Sequence, residues 1–228
     1  KRTSDAAAGA SKKTGGGTKT IIGLLLAAML FGGIYYSLII TMLPARLGEG
    51  AAKASFLQEF VGEGYLPFLV FFIGGLGQVL AGYWMESREG RGLYVVILMG
   101  TVPLIYLTGA LDGMRLLIAA SAMAFFMFAV QPVENTLLAR YTAPGMRGRI
   151  YGLKFVLTFG FGMGSGTALS GWIEKGGPAD FLLNAATPFS GLSGVFTAAA
   201  CFAAVALLMA VLARALKIGG PQNENGQS

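Results

Sequence analysis

The chain has 228 residues, of which 54% are hydrophobic and only 12% charged, and its mean hydropathy is +0.65. Soluble domains carry about 25% charged residues, so this composition excludes a surface that faces mostly water. The net charge of +6 comes without a basic patch interleaved with aromatic residues, which excludes nucleic acid as a partner. Because the sequence contains no histidine, zinc-protease helices, Ser-His dyads and histidine-ligated haem are also excluded. We therefore expect no catalytic site, no metal and no cofactor.

The first 19 residues are rich in Gly, Ser, Thr, Lys and Ala. This composition predicts a flexible cytoplasmic linker and indicates that the chain is a fragment of something longer. A secretory signal peptide would need a short apolar core and a small-residue cleavage site, and neither is found here. A bundle of transmembrane helices is predicted over residues 20–217, followed by a disordered cytoplasmic tail over residues 218–228.

Six apolar stretches are long enough to cross a bilayer or nearly so. A helix rises about 1.5 Å per residue, so a hydrocarbon core of about 30 Å requires about 20 apolar residues. The ten-residue alternating segments of a membrane β-barrel do not occur in the sequence, so an all-α fold is predicted. The first helix is expected to stop at Pro44 and the second at Glu86. In chain order the predicted spans are residues 21–43, 65–85, 93–111, 116–133, 150–173 and 191–213.

Basic residues set the orientation of these spans. With the N-terminus in the cytoplasm, thirteen of the 17 Lys and Arg residues lie on the cytoplasmic side. The four on the opposite side are Arg46, Lys53, Arg115 and Lys175. The positive-inside rule then predicts that both termini are cytoplasmic.

The composition of the six helices repeats after the third. The first and fourth carry polar side chains, the second and fifth are rich in glycine, and the third and sixth are the most uniformly apolar. Since each triplet has an odd number of spans, the second triplet is inverted relative to the first. Three-plus-three inverted repeats make up each half of a major facilitator transporter.

Two pairs of glycines on the fifth helix are spaced for close helix contact. Gly160 and Gly164 are four residues apart, as are Gly162 and Gly166, so each pair lies on one face where another backbone can approach. Static helix packing and a sliding or rocking contact are both consistent with this spacing.

Glu134 is the most informative single residue, because an ionisable group within a span usually faces a cavity or a partner. It lies near the cytoplasmic end of the fourth helix, and Lys154 lies near the cytoplasmic end of the fifth. Three interpretations remain open: an ion pair that holds adjacent helices, a role in proton coupling or gating, and snorkelling of Glu134 to the interface.

The loop after the second helix carries a motif, and the chain's resemblance to a known family rests on it. Residues 82–91 read GYWMESREGR. This segment resembles the signature of the major facilitator superfamily: a glycine, three residues, an acid, then a basic residue, a glycine and another basic residue. Ser87 stands where the basic residue is usual, and Arg88 follows one position later. The matching positions are Gly82, Glu86, Arg88, Gly90 and Arg91.

The family carries this motif between its second and third helices and a weaker copy between its eighth and ninth. The resemblance therefore implies that the six spans are helices seven to twelve, and that the basic linker before them is the central cytoplasmic loop. Residues 131–141 and the Arg147-Gly148-Arg149 triplet are similar to bacterial members as well. The implied partners are an N-terminal six-helix half of the same protein and the lipid bilayer. The resemblance to bacterial members implies that this bilayer is the plasma (inner) membrane of a bacterium.

The resemblance also implies roles for individual residues. In the family the first helix of each triplet lines a central cavity, and the two halves rock around a site near the midplane. The implied lining residues are Tyr35, Tyr36, Ser37, Gln131 and Asn135. The charged members of the loop motif, Glu86, Arg88 and Arg91, become a cytoplasmic latch, with ordinary topology signalling as the alternative.

The sequence thus predicts a secondary active transporter of a small solute, working by alternating access with proton coupling and without covalent chemistry. Two alternatives remain: a self-contained six-helix protein acting as a homodimer, and a membrane-embedded enzyme. The second would need a nucleophile with a base, convergent acids or metal ligands, and the sequence offers one intramembrane acid.

Overall fold

The computed structural model describes residues 16–51, 64–87, 90–175 and 191–216, and these residues are almost entirely helical. The predicted tail, most of the linker and Arg88 lie outside the described residues. A short 3₁₀ turn, Pro144–Met146, precedes the helix Arg147–Phe155 (α5). A π-helical segment, Val156–Met163, joins this helix to the helix Gly164–Glu174 (α6). Residues 147–174 are therefore helical without a break, and we call them the α5–α6 rod. The α-helices are α1 Gly16–Ala51, α2 Tyr65–Ser87, α3 Gly90–Ala110, α4 Gly113–Tyr141, α5 Arg147–Phe155, α6 Gly164–Glu174 and α7 Gly191–Ala215.

Five of these helices are long and apolar enough to cross a membrane. They are α1, α2, α3, α4 and α7, with mean hydropathies between 1.7 and 2.5 over their most apolar windows. The chain is accordingly an all-α, multi-pass membrane protein. Each of the five overlaps a span predicted from the sequence.

The first helix corrects the sequence prediction at both of its ends. It begins at Gly16, inside the predicted linker, and continues through Pro44 to Ala51 instead of stopping at Pro44. Proline removes one backbone donor from a helix interior, but Leu43 and Leu47 on either side of it are buried. Packing of this last part of α1 against the bundle therefore outweighs the missing hydrogen bond.

A buried arginine fixes the far end of α1. Arg46 Nη2 donates to the Leu111 carbonyl oxygen at 2.5 Å and to Asp112 Oδ1 at 3.1 Å. Leu111 and Asp112 form the turn between α3 and α4. The ion pair thus joins the end of α1 to the point where the chain enters α4.

The two central helices are α1 and α4. Helix α1 packs against α7, the α5–α6 rod and α4, whereas α4 packs against α2, α3 and α1; α3 and α7 also contact each other. Half of the most apolar window of α1 and of α4 is buried, against 28% for α2. The core therefore lies along α1 and α4, with α2 and the rod on the two flanks.

Glycines permit both flanking helices to approach the centre closely. A Cβ on Gly77 of α2 would collide with the Phe125 backbone of α4, and a Cβ on Gly33 of α1 would lie 2.5 Å from the Thr158 carbonyl oxygen of the rod. Of the two predicted glycine pairs, Gly162 and Gly166 make this contact with α1. Gly160 and Gly164 face away, and a Cβ on either would meet nothing within 4 Å.

Candidate functional site

A small cavity of about 20 Å³, room for about one water molecule, lies where α1, α4 and the π-helical segment meet. Methionines, glycines and aromatic rings make up most of its wall, with one amide and one carboxylate. Its lining residues are Met29, Gly32, Gly33, Tyr35, Tyr36, Met127, Val130, Gln131, Glu134, Thr158 and Phe159.

Glu134 binds a different partner through each carboxylate oxygen. Its side chain is almost wholly buried. Oε1 accepts a hydrogen bond from the Tyr94 hydroxyl of α3 at 3.0 Å, and Oε2 lies 3.2 Å from Lys154 Nζ of α5. Charged hydrogen bonds in a medium of low dielectric are strong when both partners are in place. The ion pair that the sequence suggested between α4 and α5 is therefore present.

A second pair of contacts extends this network to Asn135. Lys154 Nζ donates to Asn135 Oδ1 at 2.6 Å, and the Tyr151 hydroxyl donates to the Asn135 carbonyl oxygen at 2.7 Å. Lys154 is buried as deeply as its partner. Helix α5 otherwise makes little contact with α4, so polar side chains are the principal tie between these two helices.

The carboxylate belongs to the cavity and to the ion pair at once. Glu134 lines the cavity, whereas Lys154 does not. A proton or a cation in the cavity can therefore reach the carboxylate without passing Lys154. If Glu134 becomes neutral, Lys154 loses its counter-charge while it is still buried, and a buried unpaired charge is strongly unfavourable.

The structure brings together three of the five predicted cavity residues and places two elsewhere. Tyr35, Tyr36 and Gln131 line the cavity with Glu134. Ser37 lies in the contact between α1 and the rod, where its Oγ donates to the Met163 carbonyl oxygen at 2.9 Å. Asn135 instead accepts a hydrogen bond from Lys154 through its side-chain oxygen.

An aromatic cluster holds Tyr36 in place. Its ring meets Phe128 of α4 edge to face at 5.9 Å, and Phe128 meets Phe71 of α2 in the same way at 6.1 Å. Such geometry is the favoured one for aromatic pairs. One wall of the cavity is therefore rigid and continuous with the packing of α2.

The loop motif lies at the C-terminal end of α2, and the structure describes part of it. Gly82 is half-buried, and Gly90 packs so closely that a Cβ would lie 2.5 Å from Met85 Cε. The side chain of Glu86 lies outside the described residues, as does Arg88. The latch assigned to Glu86, Arg88 and Arg91 remains a prediction.

Arg91 joins α3 to the end of α7. Its Nη1 donates to the Leu216 carbonyl oxygen at 3.2 Å and to that of Ala213 at 3.4 Å, and its guanidinium lies 5.8 Å from the centre of the Tyr141 ring. A cation at a helix C-terminus interacts favourably with the free carbonyls and the helix dipole.

Sequence reasoning missed Tyr94 and Tyr151, the two tyrosines of the Glu134 network. A tyrosine near the end of an apolar helix is also typical of the membrane interface, so neither residue carried a distinguishing signal. Their roles depend on the approach of α3 and α5 to α4.

No protein-family profile, no curated protein and no solved structure matches this chain.

Proposed function

We propose that the chain is the C-terminal half of a secondary active transporter of the major facilitator type, which moves a small solute by alternating access and couples this movement to protons through Glu134. The observation that carries the proposal is the position of the Glu134 carboxylate. It is buried, it lines a cavity between the two central helices, and it is paired with Lys154 of a flanking helix.

The packing of the helices supports a three-plus-three inverted repeat. Exchanging α1 with α4, α2 with the α5–α6 rod, and α3 with α7 leaves the set of principal helix contacts unchanged. Each central helix packs against one glycine-containing flanking helix and one apolar outer helix. These are α2 and α3 for α4, and the rod and α7 for α1. The composition of the sequence repeats in the same order.

The repeat requires the rod to be a sixth span. Residues 147–174 extend about 42 Å at 1.5 Å per residue, which exceeds the about 30 Å of a hydrocarbon core. The rod begins with the basic residues Arg147 and Arg149 and carries the apolar stretch 155–163, as expected for a helix that enters from the cytoplasm.

The exposed faces of the two flanking helices support a partner half. Large contiguous apolar patches mark surfaces that lipid or protein covers. On α2 and on the rod these faces are rich in aromatic residues, and each of the following side chains is at least half exposed: Phe68, Phe72, Val79 and Tyr83 on α2, and Phe155, Val156, Phe161 and Trp172 on the rod. In the family that the sequence resembles, the corresponding helices form the contact between halves.

Proton coupling follows from the chemistry of the pair. With Glu134 ionised, Tyr94 and Lys154 both donate to it and α5 is held against α4. A proton from the cavity neutralises the carboxylate and removes the charge attraction on Lys154, so that α5 is then tied to α4 by the hydrogen bonds of Lys154 and Tyr151 to Asn135 alone and is held less firmly. Loss of the proton restores the attraction, so proton binding alternates with the position of one flanking helix.

Alternating access can be tested without knowing the solute. Gln131 lines the cavity, so a Gln131→Cys variant in a Cys201→Ser background is expected to react with a membrane-impermeant thiol reagent in right-side-out and in inverted vesicles alike. Ile118→Cys is the matched control, because Ile118 lies on the same helix with its side chain 64% exposed on the apolar surface. It should react from neither side. Labelling of position 131 from one side only, or from neither, would contradict alternating access.

A further inference from the structure

The buried face of the α5–α6 rod follows a spacing that an ordinary α-helix does not keep. Five of its six buried residues, Lys154, Thr158, Gly162, Gly166 and Ser170, are each four positions after the last, and the sixth, Ile173, follows near the end of the rod. Residues four apart in an α-helix are offset by about 40°, so this series would wind through about 160°, nearly to the opposite side. The π-helical segment has more residues per turn and rotates the face back. The π turn is thus what keeps the series on one side.

Two different neighbours share this face. Gly162 and Gly166 pack against α1, where a Cβ on Gly162 would lie 3.0 Å from Gly33 Cα and a Cβ on Gly166 would lie 2.7 Å from the Ile34 carbonyl oxygen. At the other end of the face Lys154 meets Glu134 of α4. The π-helical segment lies between the two contacts and sets their relative rotation.

Hydroxyl groups accommodate the wide turn. Ser37 Oγ of α1 donates to the Met163 carbonyl oxygen at 2.9 Å, and Ser165 Oγ donates to that of Phe161 at 2.6 Å. The Phe161 carbonyl oxygen also accepts a hydrogen bond from the Gly164 backbone N–H, so the hydroxyls add donors to this end of the segment. The π-helical segment therefore has supporting contacts at its C-terminal end, next to α6.

We propose that the π-helical segment and the Glu134–Lys154 ion pair form one switch, in which breaking the pair lets the segment rewind as an α-helix. Two α-helical turns contain about seven residues. In an α-helix the residue two turns before Gly162, and on the same side of the helix, is therefore Phe155. In the π form the residue on that side is Lys154. Rewinding turns α5 by about 80°, because Lys154 lies two four-residue steps of about 40° from Gly162. Phe155 then faces α4, and Lys154 turns away.

Local interactions decide between the two forms of the segment. A π-helical turn is rare relative to an α-helical one, so a compensating interaction is needed to maintain it. The buried ion pair supplies that interaction, because only the π form brings Lys154 to Glu134 across the α4–α5 contact. Without the pair, α-helical winding is preferred. This switch is a property of the bundle itself and does not require that the protein transports a solute.

The inward turn of Phe155 is the measurable consequence. In the structure Phe155 is 50% exposed and Val156 is 55% exposed, and both lie on the apolar surface. In the rewound form Phe155 faces α4, while Val156 stays outside. A spin label on Phe155→Cys, in a Cys201→Ser background in lipid bilayers, should show high accessibility to oxygen. Adding Glu134→Gln should lower it toward the value of a label at buried Thr158. Val156→Cys is the matched control, and its accessibility should stay high in both backgrounds.

Deleting Gly160 supplies the second arm of the test. Gly160 faces outward, and removing it lets the rod wind as an α-helix throughout while Lys154 still faces Glu134. In this deletion variant a label at position 155 should stay accessible with and without Glu134→Gln. The proposal is overturned if Glu134→Gln leaves position 155 unchanged in the undeleted rod, if positions 155 and 156 fall alike, or if position 155 also falls in the deletion variant.

Discussion

At the scale of single residues, the Glu134–Lys154 pair places two charges in the described core. Both side chains are almost fully buried, so burial removes most of the water that would otherwise solvate the two charges. Such pairs contribute little net stability compared with apolar residues, yet removing one partner is strongly destabilising because the other charge stays buried. This asymmetry makes the pair a good switch and gives a direct experiment.

Breaking the pair from one side should destabilise the protein more than removing it altogether. We expect Lys154→Met to lower stability by about 3 kcal/mol, because Glu134 is left charged and unpaired. The double variant Lys154→Met with Glu134→Gln should recover most of that loss. Melting temperatures of the purified protein in detergent measure both effects, with Lys19→Met, at an exposed position, as the control. A double variant less stable than Lys154→Met would show that the two charges do not act as a pair.

Tyr94 should contribute through its hydroxyl alone. Tyr94→Phe keeps the ring and removes the 3.0 Å hydrogen bond to Glu134, and hydrogen bonds to charged groups are worth about 1.5–3 kcal/mol. A fall in melting temperature is therefore expected, and it should vanish in the Glu134→Gln background if the hydroxyl acts through the charge. Tyr106→Phe on the same helix, where the tyrosine is 52% exposed, should have no effect. Equal effects of the two substitutions would remove Tyr94 from the network.

The sequence was informative at Glu134 and much less so around it. An ionisable residue within an apolar helix is conspicuous in any sequence, and its cationic partner Lys154 was the one charged residue within the next predicted span, residues 150–173. Tyr94 and Asn135 take their roles from the approach of three helices, which no local pattern encodes. Ser37 was correctly recognised as a polar residue of α1, but the close approach of the rod puts it in a helix contact instead of the cavity.

At the scale of helices, the closest approach to α1 is made by the rod. Gly33 and Gly162 lie against each other, and the hydroxyl of Thr158 is 3.4 Å from the Met29 carbonyl oxygen. Contacts of this kind bring backbones together, and their stability comes from packing because lipid is as apolar as the helix surfaces. Added volume at this point is therefore expected to be costly.

Gly33→Ala tests that contact. The new Cβ would lie 2.5 Å from the Thr158 carbonyl oxygen, and overpacking of this kind costs about 1–3 kcal/mol. The expected result is a lower melting temperature. Gly23→Ala is the matched control on the same helix, since a Cβ there meets nothing within 4 Å and alanine favours the helix. If both substitutions behave alike, the crossing of α1 and the rod is looser than the structure describes.

Hydropathy located the helices well because length and apolarity are properties of each segment alone. Their ends and irregularities depend on the neighbours. Helix α1 continues past Pro44 because Leu43 and Leu47 are packed, and the π-helical segment exists because Lys154 and Gly162 face the same side. The four-residue spacing of Lys154, Thr158, Gly162, Gly166 and Ser170 is visible in the sequence. Its meaning depends on knowing that all five positions are buried.

At the scale of the whole molecule, the membrane orientation can be tested with two methionines of similar exposure. Met146 lies in the turn before α5 and is 51% exposed, and Met114 lies at the start of α4 and is 46% exposed. The distribution of basic residues predicts that they lie on opposite sides of the membrane, with Met146 in the cytoplasm. In a Cys201→Ser background, Met146→Cys should react with an impermeant thiol reagent only in inverted vesicles and Met114→Cys only in right-side-out ones. The reverse result would invert the whole topology.

The partner of the bundle can be identified from the flank of α2. Phe72 on α2 and Met99 on α3 have almost the same exposure, 57% and 59%, but the proposed two-half architecture puts protein against Phe72 and lipid against Met99. A photoreactive residue at position 72 should therefore form protein crosslinks in source membranes, and one at position 99 should form lipid adducts.

The change in mass on irradiation separates the remaining architectures. If the second half belongs to the same polypeptide, the crosslink joins two segments of one chain and leaves its mass unchanged, at roughly the size of a twelve-helix protein. A homodimer of this chain would instead give a product of twice 23.7 kDa. Lipid adducts at both positions would mean that α2 faces the bilayer. The symmetric packing of α1 with α4 would then describe a complete six-helix protein, and its cavity would open toward lipid.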